Sequence, residues 1–207
     1  FDQEPTDLRI TSTDDFVWEE AEGNPGGFLS ITKSVNSQNT VVVFPDIDDG
    51  NIVKAFTFEC DLRIGNAVGN DGRPADGFSI NYARAGDPVL ENAKNPDEDN
   101  LQQYMAVSGA NEIGTSTGLV VSFDTWSGNT LPDGSSDIEG IIVMLDGKTL
   151  LKHSLPTRNG ECEDLTSLQT GLYTPETDGD WVDLCWQPFL VEVSENGIFR
   201  VPNTAAQ

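Results

Sequence analysis

The sequence predicts an all-β fold, with antiparallel sheets packed as a β-sandwich or jelly roll in one domain spanning 1–207. Three observations lead there: apolar and polar residues alternate with period two in segment after segment, helical periodicity is nearly absent, and turn signals separate the alternating runs. A chain of 207 residues suits a single domain, because domains usually take roughly 100–200 residues and all-β ones often run longer. No repeat, linker or second compositional block divides it.

The clearest strand runs from Ala55 to Ile64. Phe56, Phe58, Cys60, Leu62 and Ile64 share one face, and Thr57, Glu59, Asp61 and Arg63 share the other, the pattern of a half-buried strand. Further strands are expected at 28–32, 40–44, 77–83, 103–108, 118–125, 140–145, 149–153, 188–193 and 198–201. Between them stand Asn24-Pro25-Gly26-Gly27, Asp48-Asp49-Gly50-Asn51, Asn70-Asp71-Gly72, Asp133-Gly134, Asp146-Gly147 and Asn196-Gly197. Such residues accept the backbone angles of tight turns. Asp146-Gly147 and Asn196-Gly197 read as hairpin turns. The acidic stretch 87–100 reads as a long surface loop holding one helical turn.

Eleven Lys and Arg against 35 Asp and Glu leave a net charge of −24. Phosphate backbones and anionic lipid surfaces repel such a polyanion, which argues against nucleic acid and membrane-surface partners. No apolar run approaches the ~18–20 residues of a membrane helix, so membrane insertion is not expected. The apolar fraction of 37%, with ten Phe and four Trp, is too high for a disordered acidic chain. Scarce lysine, an acidic surface and twenty Gly with eleven Pro suit an extracellular or saline setting, so a secreted or cell-surface protein is expected, and a chain beginning at Phe1 without a signal peptide reads as a processed or excised segment.

Most catalytic chemistry lacks its residues. His153 is the only histidine and no Gly-x-Ser-x-Gly elbow accompanies it. One His with three scattered Cys makes no zinc set, and no glycine-rich phosphate loop occurs. The segment Val120-Val121-Ser122-Phe123-Asp124-Thr125-Trp126 carries a single acid, whereas glycoside hydrolysis takes two. A hard cation is the better match. Asp124 is followed by Ser127-Gly128-Asn129-Thr130-Leu131-Pro132-Asp133-Gly134-Ser135-Ser136-Asp137. Calcium takes six to eight oxygen ligands. Asp124, the Trp126 carbonyl, Asn129 and either Asp133 or Asp137 supply most of that set. The second constellation is Pro74-Ala75-Asp76-Gly77-Phe78-Ser79-Ile80-Asn81-Tyr82. An acid at the mouth of a strand, next to a glycine that lets a ligand approach the backbone, suits hydrogen bonding to sugar hydroxyls.

Taken together, Ala75-Asp76-Gly77-Phe78-Ser79-Ile80-Asn81-Tyr82 and, about forty residues later, Gly118-Leu119-Val120-Val121-Ser122-Phe123-Asp124-Thr125-Trp126 resemble the L-type lectins. That family has the concanavalin A-like jelly-roll β-sandwich of antiparallel sheets. The resemblance runs from about Phe28 to Val201, and outside the two motifs it is strand rhythm. It implies a carbohydrate-binding role for Asp76 and Gly77. It also implies a Ca2+ site at Asp124, Trp126 and Asn129, with Asn129 touching the sugar as well, although Asn129 lies one residue later than the family spacing. Asp133 matches the family's second loop Asp by distance, and the slip leaves Asp137 as the alternative. Ser122 stands where legume lectins have a Glu, so their second metal is not expected. By the same resemblance His153 contacts the sugar and Cys162 pairs with Cys185 in a disulfide, leaving Cys60 reduced. Trp126 is also a candidate stacking platform, as are Trp181, Trp186, Tyr82 and Tyr104.

The function these features predict is non-catalytic, calcium-dependent binding of a glycan or polysaccharide. The alternatives are a structural or adhesive module of an extracellular assembly and a glycoside hydrolase on the same fold. The polar end 202–207 does not read as a closing core strand, so an open sheet edge for a neighbouring chain or segment is expected.

Overall fold

A computed structural model describes residues 3–12, 17–21, 23, 26–32, 38–46, 48–64, 76–94, 112–155, 172–173, 181–182, 186–196 and 199–200. In chain order the strands are β1 (Arg9–Ser12), β2 (Val17–Glu19), β3 (Phe28–Ser30), β4 (Thr40–Val43), β5 (Phe56–Leu62) and β6 (Gly77–Tyr82). A helix, α1 (Pro88–Lys94), follows. Then come β7 (Leu119–Asp124), β8 (Gly140–Leu145), β9 (Lys148–Ser154), β10 (Leu172–Tyr173), β11 (Trp181–Val182), β12 (Gln187–Val193) and β13 (Phe199–Arg200). The expected strand 103–108 and the Cys162–Cys185 disulfide fall outside the described residues.

The expectation of an all-β jelly roll is corrected by α1, which makes the fold mixed α/β. The physical reason lies at Asp87. Its Oδ1 accepts the backbone N–H groups of Val89 and Leu90 at 2.9 and 3.3 Å, and Pro88 opens the helix. A carboxylate at the cap and proline at the first helical position are strong helix-start chemistry. Ala93 is buried, and Thr11 of β1 donates to its carbonyl at 3.4 Å. Two turns are too short for an apolar period to emerge from an acidic stretch.

Two antiparallel sheets share the main core. One has the order β6-β7-β8-β9, the other β13-β12-β5. Between them pack Val121 and Phe123 of β7, Phe189 and Val191 of β12, and Phe56, Phe58, Cys60 and Leu62 of β5. Phe123 ties the layers: it stacks on Phe78 and meets Phe189 edge-on, both at 4.6 Å between ring centres. Aromatic pairs of this kind add roughly 0.5–1.5 kcal/mol beyond their buried area.

The opposite face of β7 and β8 is also dry. Val120, Ile142 and Met144 pack there against Leu131, with Ile138 at their edge. A strand covered on both sides reads as a continuous apolar run instead of an alternating one, which is how Gly118-Leu119-Val120-Val121-Ser122-Phe123 reads. The cover is the segment between β7 and β8. Asp133 fastens it to β9 by accepting the Thr149 N–H at 3.0 Å, and Lys152 Nζ donates to Ser135 Oγ at 2.9 Å. Among the described residues no helix is long and apolar enough to cross a membrane.

Candidate functional site

Asp124 ends β7 on its loop-covered face, between two glycines. Its register partners are Gly77 on β6 and Gly140 on β8. Neither neighbour carries a side chain. Both glycines have positive φ, 146° and 141°, and a Cβ would meet the Phe123 carbonyl at Gly77 and the His153 carbonyl at Gly140. The chain therefore needs glycine at both places, and neither neighbouring strand sets a side chain beside the carboxylate.

Groups from two loops gather beside Asp124. Asp124 is fully buried (0% exposed), while Asp137 and Glu112 are 8% and 4% exposed. Asp124 Oδ1 accepts the Trp126 N–H at 3.0 Å. Its Oδ2 is buried with no donor, and so is Glu112 Oε2. Asp137 is the acidic neighbour of Asp124, and two ionised carboxylates donate no hydrogen bond to each other. Burial pushes the Asp124 carboxyl up to about 7; the Trp126 N–H pulls against the shift, and Asp137 and Glu112 add to it. Burial likewise raises Glu112, reinforced by the charges of Asp76 and Asp137. Buried acids with unpartnered oxygens call for a proton or a cation.

Asp137 organises the loop around this pair. It accepts Gly128 N–H at 3.0 Å and Asn129 N–H at 2.7 Å, and its own N–H donates to the Asn129 carbonyl at 3.2 Å. Asn129 Nδ2 donates to Glu112 Oε1 at 2.7 Å. Asp76 is exposed, and its carbonyl accepts the Thr125 N–H at 2.9 Å. That bond fixes the Asp76-Gly77 step against the start of the acidic loop.

Of the two acids that spacing leaves as alternatives, Asp137 stands at Asp124. Asp133 points elsewhere: Ser135 and Thr149 occupy its oxygens and hold its carboxyl far below the usual range. His153 is exposed on β9, opposite Ile141 and one residue from the row that joins Gly77, Asp124, Gly140 and Ser154. Tyr82 sits at the far end of β6, stacked on Phe56 at 4.8 Å and donating to Asp48 at 2.8 Å, and Trp186 packs edge-on against Phe28. Tyr104 lies outside the described residues.

Sequence reasoning misses Glu112. It reaches the site from the loop before β7, whose course is set by two distant anchors. Asn81 Oδ1 accepts the Thr115 N–H at 3.0 Å, and Asp87 Oδ2 accepts the N–H and hydroxyl of Thr117, both at 2.7 Å. The available signal is a lone acid in Gly109-Ala110-Asn111-Glu112-Ile113-Gly114.

The donor set fits a hard cation. Two carboxylates, an amide oxygen and a main-chain carbonyl are calcium ligands by type. Among the described residues no group of three or more His, Cys, Asp or Glu side chains forms a metal cluster, so neutral oxygens would have to complete the shell.

No protein-family model matches the chain, and no curated protein matches it. With α1 in the fold and no matching family, the concanavalin A-like lectin jelly roll is withdrawn as the description of this protein.

Proposed function

We propose that the chain is a non-catalytic, calcium-dependent carbohydrate-binding domain that works outside the cell. The observation that carries this reading is the buried Asp124 carboxylate, one oxygen unpartnered, with Asp137 as its neighbour and glycines as its register partners on both adjoining strands. Asp124 and Asp137 with their carboxylates, Asn129 with Oδ1 and Trp126 with its carbonyl are the residues to hold calcium. Bound there, the ion supplies a fixed positive charge that compensates the buried acids. Asp76, exposed and tied to Thr125, offers a carboxylate that can accept two sugar hydroxyls. His153 is a further polar group toward the same end of the sheet. The net charge of −24 favours neutral over anionic glycans.

The hydrolase reading gains a second acid in Glu112. Asp124 is fully buried and Glu112 nearly so, however, and a general acid must reach the bond it protonates. Release of reducing sugar is therefore not expected.

Isothermal titration against a panel of neutral glycans tests the proposal. Binding should vanish on chelation and in Asp76→Ala. Binding that survives both overturns this mechanism.

A further inference from the structure

We propose that Glu112 is the positioning residue of this site: it fixes which end of the Asn129 side-chain amide the cation meets. The inference rests on the cation-binding reading given above.

An ionised carboxylate only accepts hydrogen bonds, so Asn129 must turn its nitrogen, not its oxygen, to Glu112. The 2.7 Å contact from Nδ2 to Oε1 is that bond. Asn129 Oδ1 is thereby turned away, and among the described residues it accepts no hydrogen bond. The backbone of Asn129 is pinned as well, its N–H on Asp137 Oδ2 at 2.7 Å and its carbonyl under the Asp137 N–H at 3.2 Å. With both ends tied to acids, Asn129 is held in one pose. An untied amide would present its NH2 group to the cation in part of the population, and the bound state would then have to order it.

Glu112 is suited to this role because it is itself buried and externally anchored. It is 4% exposed, and the loop that carries it is fastened by Asn81 to β6 and by Asp87 to the start of α1. Its Oε2 stays buried and unpartnered. Spacing within the Asp124–Asp137 segment carries no trace of Glu112, which arrives from a separate loop.

Calorimetric titration of calcium into the full chain tests the assignment with Glu112→Ala, Glu112→Gln, Asn129→Ala, the Glu112→Ala/Asn129→Ala double variant and Asp124→Asn. Glu112→Ala should weaken calcium binding by about tenfold or more, the range for losing a group that orients a metal ligand. Glu112→Gln can turn either its oxygen or its NH2 group to Asn129, so it no longer enforces one pose and should weaken calcium binding as well, by less than Glu112→Ala. The double variant should bind no more weakly than Asn129→Ala alone, because both changes remove one device. Wild-type affinity in Glu112→Ala, or penalties that multiply in the double variant, overturns the positioning role. If Asp124→Asn loses binding while Glu112→Ala keeps it, only this assignment falls. If the wild-type chain takes up no calcium, the cation reading falls and takes the assignment with it.

Discussion

Gly140 of β8 stands directly opposite Asp124 of β7, and its missing side chain is what lets a buried carboxylate sit at the end of a covered strand. Gly77 does the same from β6. Both have positive φ, and at each a Cβ would run into a neighbouring strand's carbonyl. Backbone that a Cβ cannot follow and contacts that cannot yield act together here. Gly77→Ala and Gly140→Ala should each destabilise by about 2–4 kcal/mol. Urea denaturation of the two variants, read as a shift in midpoint, checks this; wild-type midpoints would contradict it.

Calcium should raise the melting temperature of the chain, and chelation should reverse the rise. At a hundredfold excess over the dissociation constant the linkage term is about 2.7 kcal/mol, on the order of 5–10 °C for a chain of this size. Asp124→Asn should lose the response. Metal-free, at neutral pH, that variant should be at least as stable as wild type, because it no longer buries an uncompensated carboxylate. Differential scanning calorimetry with calcium and with chelator gives both numbers.

Asp87 caps α1 with one oxygen and holds the Glu112 loop with the other. Asp87→Ala therefore removes a helix cap and leaves the half-buried N–H and hydroxyl of Thr117 without their acceptor. A loss of about 2–4 kcal/mol is expected, together with weaker calcium binding because Glu112 is set free. Thermal melting and calcium titration of this variant should move together.

Acid should destabilise the fold through Asp133 and Asp146. Ser135 and Thr149 hold Asp133 low, and the Arg84 guanidinium, with the Gly118 N–H, holds Asp146 down at about 2. Both folded values lie below the unfolded one, so their contribution is present above about pH 4 and is lost as pH falls through the folded values. Arg84→Ala should weaken the acid dependence near pH 2–4 by raising Asp146 toward its ordinary value. Circular dichroism across that range reads the change; an unaltered acid midpoint would contradict it.

The Cys60 thiol lies half-buried in the main core, where burial, reinforced by Asp61 and Glu59, pushes it up to about 12. The thiolate is the reactive form, so native Cys60 should resist iodoacetamide at pH 8 and react in urea. Peptide mapping by mass spectrometry distinguishes it from Cys162 and Cys185.

Much of the sheet is legible in the residues themselves. The alternation of Phe56, Phe58, Cys60 and Leu62 places β5 and its inner face, and Asp146-Gly147 closes the β8–β9 hairpin with positive φ at both residues. β1 escapes notice because the residue it buries is Thr11, so its four residues show no apolar face. α1 escapes because its stability comes from one cap and one buried alanine, which leave no period. At the site, Asp124, Asn129 and Asp137 are visible through local spacing. Glu112 is not, since its place depends on how far Asn81 and Asp87 pull a separate loop.

The segment that carries Asn129 and Asp137 also roofs Val120, Ile142 and Met144 through Leu131. It cannot swing aside like a flap without wetting the middle of the sheet. Exchange of anything held at Asp124 must then proceed by small side-chain rotations while the backbone stays put. Loss of the occupant should register in the cooperative melting of the whole sheet, with no separate early transition for the loop.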